Sequence, residues 1–394
     1  MQNRLRIGKG KSAVIIPVFK KGDRTVLENY RPVSLINNFS KIFEYLLSEY
    51  ISYYLKHSIS DYQHGFIAGR STVTNLCSFT QFVATHLDLG LQIDTIFTDF
   101  SKAFDKMRHE VLIEKLGRLG CSSDFLKFLL SYLRGRKLCV CVHGHYSDEF
   151  IAFSGVPQGS VLGPILFNIF INDIASNLSV PCLLYADDMK LFSVIRSVED
   201  CRSLQLNINK IVAWGDVNGL PLNVNKCVAF TFSNKKRDIS YDYVIDTCIL
   251  HRPETVDDLG VTFDCKLSFS KHILKVCKKA YAVYGCIMRN TKDFNNVSTF
   301  LHLFRTCIRS IIEYANIVWF PHHAKYIGTL ERIQRRFLKY ICFRQDGFYP
   351  PVGYEMSLLL ERFSIISISD RHKISGIVFL YKILNSKTYC PELL

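Results

Sequence analysis

The chain has 394 residues, 48% of them hydrophobic, which is enough for two or three subdomains with large cores and too apolar for a disordered protein. Its 49 Lys and Arg against 35 Asp and Glu leave a formal charge of +14, favouring a polyanionic partner: nucleic acid first, an anionic membrane surface second. The 14 cysteines form no CxxC pair, and no apolar run nears the roughly 18 residues that span a bilayer. A disulfide frame, a zinc site and a transmembrane helix are thereby excluded, and the cysteines read as reduced core residues of an intracellular protein.

A basic start leads into Ala13-Val14-Ile15-Ile16-Pro17. That apolar run is short, is followed by Lys20-Lys21 and has no small-residue cleavage site, so residues 13–19 read as a β-strand and not as a signal peptide. A basic turn, Lys20-Lys21-Gly22-Asp23, precedes Asn29-Tyr30-Arg31-Pro32. Pro32 holds Arg31 extended, and a guanidinium can grip a phosphate through two hydrogen bonds. Between Lys41 and Leu55, Ile42, Leu46, Leu47, Tyr50 and Tyr54 recur at helical spacing and predict a core stripe. In the glycine-punctuated loop Gln63 to Thr72, Ser71 or Thr72 is a candidate helix cap and Arg70 a candidate phosphate contact. His64 has no second ligand at metal-binding spacing and reads as structural.

The next strand, Ile93 to Phe100, places Ile93, Thr95, Phe97 and Asp99 on one face, so Asp99 ends a row that should be buried. A carboxylate there needs a partner or a cation. Asp105 falls in the first turn of a helix, as a structural hydrogen-bond acceptor. Helical spacing continues through Leu112, Leu116 and Leu119, then Phe125, Leu129 and Leu133, before a basic turn and a hairpin from Leu138 to Phe150. Ser154-Gly155-Val156-Pro157-Gln158-Gly159-Ser160 is a constrained loop able to hold Gln158 rigidly, with Ser160 capping a helix through Phe170. Tyr185-Ala186-Asp187-Asp188 sets two acids between apolar runs, the pattern of a strand, a tight turn and a returning strand.

A helix ending near Trp214 and a turn at Gly219 to Asn223 bring the chain to Lys226, a candidate proton donor or phosphate contact. Beyond residue 234 the character changes. Lys235-Lys236-Arg237 reads as a solvated link, Leu259 to Phe263 as one strand of a small hairpin, and the rest from Ser268 as mostly helix. In the helix from Leu330 to Ile341 the apolar residues share one face, and Arg332, Arg335, Arg336 and Lys339 fall largely elsewhere. Such a helix lies along a nucleic-acid backbone or is a solvated face.

If the strand ending at Asp99 lies beside the hairpin, Asp99, Asp187 and Asp188 converge. Clustered carboxylates raise one another's pKa unless a cation neutralises them, and hard oxygen ligands select Mg²⁺ or Mn²⁺. Two such ions, about 3.5–4 Å apart, activate an attacking hydroxyl and stabilise a leaving oxygen at phosphorus. With an arginine for a triphosphate and a basic surface, the expected reaction is nucleotidyl transfer.

Phe97-Thr98-Asp99 with Lys102-Ala103-Phe104-Asp105, then the Ser154–Ser160 loop, then Tyr185-Ala186-Asp187-Asp188 resemble, in order, the three central palm motifs of reverse transcriptases. Asn29 to Leu35, Gln63 to Thr72, Trp214, Asn223 to Lys226 and Leu259-Gly260-Val261 resemble the flanking motifs of non-LTR, LINE-type retrotransposon polymerases. The tail, with Glu313-Tyr314-Ala315, Trp319 and Tyr349-Pro350-Pro351, is jockey-like. The resemblance implies an α+β right-hand polymerase of fingers, palm and thumb with an antiparallel palm sheet, followed by a mostly helical C-terminal region. Fingers and palm would span residues 1–265, and the thumb and C-terminal region 266–394.

It further implies an RNA-directed DNA polymerase using two Mg²⁺ ions, with Mn²⁺ possible, an RNA template, a DNA primer and dNTPs. Asp99 and Asp187 would be metal ligands with Asp188 beside them. Phe104 would be the gate that rejects a 2′-hydroxyl, and Gln158 and Gly159 would lie near the templating pair. Arg31 and Lys20 would hold the triphosphate, Lys226 would protonate pyrophosphate, and the nucleic acid would meet Arg70, Arg332, Arg335, Arg336 and Lys339. The expected chain is a fragment without the family's endonuclease and with truncated fingers, acting in nucleus and cytoplasm and not at a membrane. Two alternatives stand beside it: a catalytically inactive remnant that at most binds nucleic acid, and an RNA-synthesising palm polymerase, against which Phe104 speaks.

Overall fold

A computed structural model describes residues 12–55 and 58–393; the basic start before Ser12, and Leu394, lie outside the described residues. Two compact units are present. One takes in the chain up to Ala68, Asp94–Ala229 and Ile239–Arg252; the other Gly69–Ile93, Phe230–Asp238 and the chain from Pro253. The units are interleaved in sequence.

The first unit begins with strands β1 (Ser12–Phe19) and β2 (Tyr30–Leu35) and helix α1 (Asn38–Leu55); helix α2 (Thr72–Asp88) belongs to the second unit. Ser71 caps α2, its hydroxyl accepting from the Thr74 N–H while the Thr74 side chain accepts from the Ser71 N–H. Then come β3 (Gln92–Thr98), the short α3 (Ala103–Lys106), α4 (His109–Arg118) and α5 (Ser123–Leu133). Strands β4 (Arg136–Val142), β5 (His145–Tyr146) and β6 (Phe150–Ala152) form the expected hairpin region, and α6 is Leu162–Ile171. The tip-bearing hairpin is β7 (Cys182–Tyr185) and β8 (Asp188–Ile195), followed by α7 (Val198–Asn218) and β9 (Val228–Phe232).

Two sheets position the site. In one, β1 lies between antiparallel β2 and parallel β4. The other has the order β7-β8-β3-β9. Ile93 to Ile96 of β3 and Met189 to Phe192 of β8 are all buried, so these runs are covered on both faces and carry no alternation. The core beneath is built from Leu112 and Leu116 of α4, Leu129 and Leu133 of α5, Leu166 and Phe170 of α6, and Leu204, Ile208 and Ile211 of α7. Trp214 belongs to this core: its indole donates to Asp173 at 3.0 Å, and the Lys115 ammonium lies 4.7 Å from its ring. α7 ends at Asn218, four residues beyond Trp214, where Gly219 turns left-handed at φ 71°.

Of the stripe predicted on α1, only Leu47 packs against the core. Ile42, Leu46, Tyr50 and Tyr54 are exposed, while Glu44, Ile51 and Leu55 are buried. Glu44 explains the rotation: its carboxylate accepts the Val161 N–H at 2.7 Å, just before α6, and the Tyr132 hydroxyl. A charge-assisted bond to a helix entrance outweighs the burial of one more aromatic face.

In the second unit, β12 (Thr255–Asp258) and β13 (Val261–Asp264) form a hairpin, after two short paired strands of the first unit, β10 (Val244–Ile245) and β11 (Cys248–Ile249). Leu259 and Gly260 are its turn, with φ 44° and 86°, and not the start of a strand as expected. Two positive φ values in succession match a type I′ turn, for which glycine is well suited. Helices follow: α8 (Ser270–Asn290), α9 (Val297–Leu303), α10 (Ser310–Glu313), α11 (Asn316–Trp319), α12 (Ala324–Asp346), α13 (Met356–Arg362) and α14 (Ile368–Leu384). Leu330, Ile333, Phe337 and Ile341 of α12 are buried as the spacing predicts. Among the described residues no helix is long and apolar enough to cross a membrane.

Candidate active site

Asp99 follows directly on β3, and Asp187 sits in the β7–β8 turn, so the adjacency of β3 and β8 brings them to one end of the sheet. The Thr98 hydroxyl donates to the Met189 carbonyl at 3.1 Å and ties those strand ends together. The Asp99 carbonyl accepts from the Asn223 N–H at 2.7 Å, which carries Lys226 in; its ammonium donates to the Asp99 carboxylate at 3.0 Å. This is the cation that a carboxylate at the end of β3 requires. Asp99 is half-buried, and the fully buried acid of the strand is Asp94. Sequence reasoning passed over Asp94, which accepts from the Tyr243 hydroxyl at 2.8 Å and pairs with Arg252 at 3.6 Å.

Both Asp99 and Asp187 line an open cleft of ≈ 1390 Å³ in the first unit. Lys20, Arg31, Phe104, Gln158, Gly159 and Lys226 line it too, together with Arg24 and Lys102, which the sequence did not single out. Burial pushes the Asp187 carboxyl above its ordinary range, with the charge of Asp99 adding to the rise and Lys20 and Arg31 opposing it. The two acids are thus electrostatically coupled, with two cations in the same field. Asp188 behaves differently. It opens β8, is exposed and does not line the cleft. Among the described residues no group of three His, Cys, Asp or Glu side chains is close enough to share a metal ion, so the expected three-carboxylate cluster reduces to the Asp99–Asp187 pair. Adjacent residues leaving a tight turn project differently, which separates Asp188 from Asp187.

Chain geometry holds the rest of the lining. Phe104 in α3 stacks on Phe167 of α6, with centroids 4.4 Å apart and planes at 26°. The loop after Ser154 is pinned to the α3 region: the Gly155 N–H donates to the Met107 carbonyl at 2.8 Å and the Val156 N–H to that of Phe104 at 2.9 Å. Gly155 has φ 78°, and a Cβ there would meet the Asp105 carbonyl oxygen at 2.5 Å, so the approach requires glycine. The Gln158 side-chain amide donates to the Asp105 carboxylate at 3.0 Å, and the Gln158 backbone carbonyl accepts from the Ser34 N–H at 2.7 Å. Asp105 is therefore the acceptor the sequence indicated; burial raises its pKa, against the Gln158 hydrogen bond and Lys102. Ser160 accepts the Gly163 N–H at 2.9 Å, as a cap does.

The turn carrying Asp187 is itself unusual. Ala186, its first central residue, has φ 55°, a conformation that costs a residue with a Cβ about 1–2 kcal/mol. The buried Gln63 meets it: the side-chain oxygen accepts the Ala186 N–H at 2.9 Å. His64 is buried, in line with its structural reading.

The remaining candidates lie in the second unit and do not line the cleft. Arg332, Arg335 and Arg336 are exposed on α12, with the Arg336 guanidinium 5.3 Å from the Tyr281 ring centroid. Lys339 is a correction. It is buried, and its ammonium donates to the carbonyls of Pro350 at 3.1 Å and Pro351 at 2.5 Å, so it holds a loop and has no face for a phosphate. Arg70 is half-buried, with its guanidinium 4.2 Å from the Tyr389 ring centroid.

The architecture is α+β, a right-hand polymerase fold with an antiparallel palm sheet. The solved structure of apo telomerase from Candida tropicalis is similar in fold over 92% of this chain and 62% of that one, with a TM-score of 0.51 at 10% identity. The family model described as reverse transcriptase (RNA-dependent DNA polymerase) matches residues 18–292, and the chain belongs to that family. Its sequence relatives include the probable RNA-directed DNA polymerase from transposon BS of Drosophila melanogaster, 28% identical over 84% of this chain. The RNA-directed DNA polymerase from mobile element jockey of the same species is 30% identical over 68% of this chain. The chain spans 38% of the length of the first of these and 30% of the second. Reverse transcriptases bind nucleic acid and use divalent metal ions; the hard oxygen donors of Asp99 and Asp187, coupled across one cleft, fit such an ion.

Proposed function

We propose that this chain is the polymerase core of a jockey-like non-LTR retrotransposon, an RNA-directed DNA polymerase that adds deoxynucleotides to a DNA primer on an RNA template. The observation that carries the reading is the convergence of Asp99 and Asp187 on a cleft also lined by Lys20, Arg31, Phe104 and Gln158. Asp99 and Asp187 would hold two Mg²⁺ ions, or Mn²⁺, while Asp188, exposed and outside the cleft lining, would not be a direct ligand. Bound between these carboxylates, such ions would supply activation of the primer hydroxyl and neutralisation of charge on the transferring phosphoryl group. Arg31 and Lys20 bind the triphosphate, Arg31 as a fork and Lys20 as a point charge. Phe104, braced on Phe167, meets the sugar where a 2′-hydroxyl would project. Gln158 and Gly159 face the templating pair, with the Gln158 amide fixed by Asp105. Lys226, bonded to Asp99, is the proton donor to departing pyrophosphate. Arg70, Arg332, Arg335 and Arg336 contact nucleic-acid backbone. Such an enzyme meets RNA in the cytoplasm and chromosomal DNA in the nucleus.

The test is Mg²⁺-dependent extension of a DNA primer on an RNA template by the purified chain, with dNTPs or NTPs, beside Asp187→Ala. Extension with dNTPs that vanishes in the variant is expected. A folded wild-type chain that extends nothing would overturn the polymerase reading and leave that of an inactive remnant.

A further inference from the structure

We propose that Gln63 is a positioning residue for Asp187, acting through the backbone of Ala186; this rests on the polymerase reading for its catalytic consequence. Gln63 is only 2% exposed. Its side-chain oxygen accepts two backbone N–H groups, from Gly65 at 2.8 Å and from Ala186 at 2.9 Å, while its amide nitrogen lies 3.4 Å from the Ala186 carbonyl. The carboxamide thus faces Ala186 as a neighbouring peptide would, offering an acceptor to its N–H and a donor to its C=O.

The need for this follows from the turn. Tyr185 and Asp188 pair across the hairpin, leaving Ala186 and Asp187 as the central residues, and Ala186 takes φ 55° where glycine is the comfortable residue. Alanine in that position is stable only when its surroundings impose it. Around it the loop is bolted to β7: the His64 N–H donates to the Leu184 carbonyl at 2.8 Å and the Leu184 N–H to the Tyr62 carbonyl at 2.8 Å. A Cβ on Gly65 would meet the Ala186 nitrogen at 2.5 Å, so the loop backbone lies against the turn itself. From the other side the Asn168 amide of α6 donates to the Gly65 carbonyl at 2.7 Å. A continuous chain of hydrogen bonds therefore runs from α6 through Gly65 and Gln63 to Ala186, the residue before the metal-binding carboxylate. Releasing Ala186 lets Asp187 sample wrong positions relative to Asp99, which slows chemistry more than it weakens nucleotide binding.

The experiment compares wild type, Gln63→Leu, Ala186→Gly and the double variant. Two readouts are used: hydrogen exchange of the Ala186 amide, and steady-state kcat and KM for dNTP on a primed RNA template. Gln63→Leu is expected to speed Ala186 exchange at least about tenfold and to lower kcat about 10- to 100-fold, with KM within about threefold. Ala186→Gly, which makes the left-handed turn comfortable without help, is expected to restore kcat of the double variant to within about threefold of its own value. Unchanged exchange in Gln63→Leu, or a folded double variant as slow as Gln63→Leu alone, would overturn the proposal. If Gln63→Leu does not fold, Gln63→Met is read by the same criteria. A wild type that exchanges Ala186 slowly but extends no primer refutes the polymerase reading, and the exchange comparison still decides whether Gln63 holds the turn.

Discussion

The charges lining the cleft of the first unit and the ion pairs of the second are arranged differently. In the first, Asp99, Asp187, Lys20, Arg31 and Lys226 converge on open space, and Asp187 is left with a raised pKa because burial and a like charge disfavour its ionised form. In the second, charges close on one another. Arg371 forks onto Glu313, Arg362 holds Asp346 at 2.7 Å and 2.9 Å, Lys275 pairs with Asp257 at 2.7 Å, and Lys339 is capped by two carbonyls. Satisfied charges build structure, while a carboxylate such as Asp187, whose ionised form burial and a like charge disfavour, leaves a place for a cation. A basic residue count says nothing about which of the two a given lysine does.

The sharpest break of this contrast is chemical. Asp187→Asn is expected to lower primer extension on the order of 10³-fold, because one of the two carboxylates proposed to hold the metal ions loses its charge. In metal-free protein the same change has the opposite sign for stability. The Asp187 pKa is raised on folding, so its favourable contribution is present at low pH and lost as pH rises through the folded value. At neutral pH Asp187→Asn should therefore raise the melting temperature of the metal-free chain, and a lower one would contradict the picture of an electrostatically frustrated site.

Acidification separates the units in the other direction. His272 of α8 is buried, accepts the Thr262 N–H at 3.1 Å and meets the Trp319 ring edge-on; burial pushes its pKa down from 6.5 to about 4. Lys275 opposes its protonation and Asp257 favours it. Between about pH 6.5 and 4 the unfolded chain binds a proton that the folded chain resists, so the second unit should lose about 3 kcal/mol as pH falls through that window. Denaturant titrations at pH 7 and pH 4.5 on wild type and His272→Gln read this directly. An equal pH dependence in both would assign the loss elsewhere.

Smaller effects refine the first unit's cleft and the second unit's surface. Phe104→Val is expected to reduce discrimination between dNTP and NTP about 10²-fold in single-nucleotide incorporation, leaving dNTP use largely intact. An unchanged ratio would remove Phe104 from the sugar-gate role. On α12, Arg335→Gln and Arg336→Gln should each lower the salt-dependence slope of nucleic-acid binding by about 1. Lys339→Met should leave that slope unchanged while lowering stability by about 1–3 kcal/mol, since two buried carbonyls lose their donor. A slope change in Lys339→Met would reinstate it as a phosphate contact.

The sequence by itself was sufficient for the family, for the order of the motifs, and for placing Asp99 at a strand end and Asp187 in a hairpin turn. Each of these is a local statement: an acid at the end of an apolar strand, or two acids at the tip of a hairpin, shows in a handful of neighbouring letters. Helix entrances at Ser71 and Ser160 were legible for the same reason, since a cap bonds within its own turn. The face of α1 was not legible, because Glu44 is drawn inward by Val161 and Tyr132, residues distant in sequence. Lys339 looked like its arginine neighbours until Pro350 and Pro351 folded back onto it. Asp188 and Asp187 are equal as letters and unequal in space, because the turn aims only one of them into the cleft. Gln63 gave no chemical signal at all, for its work is to hold the backbone of a residue 123 positions away. Side-chain identity and short-range spacing travel with the sequence; which polar group finds which partner across the fold is decided only when the chain closes on itself.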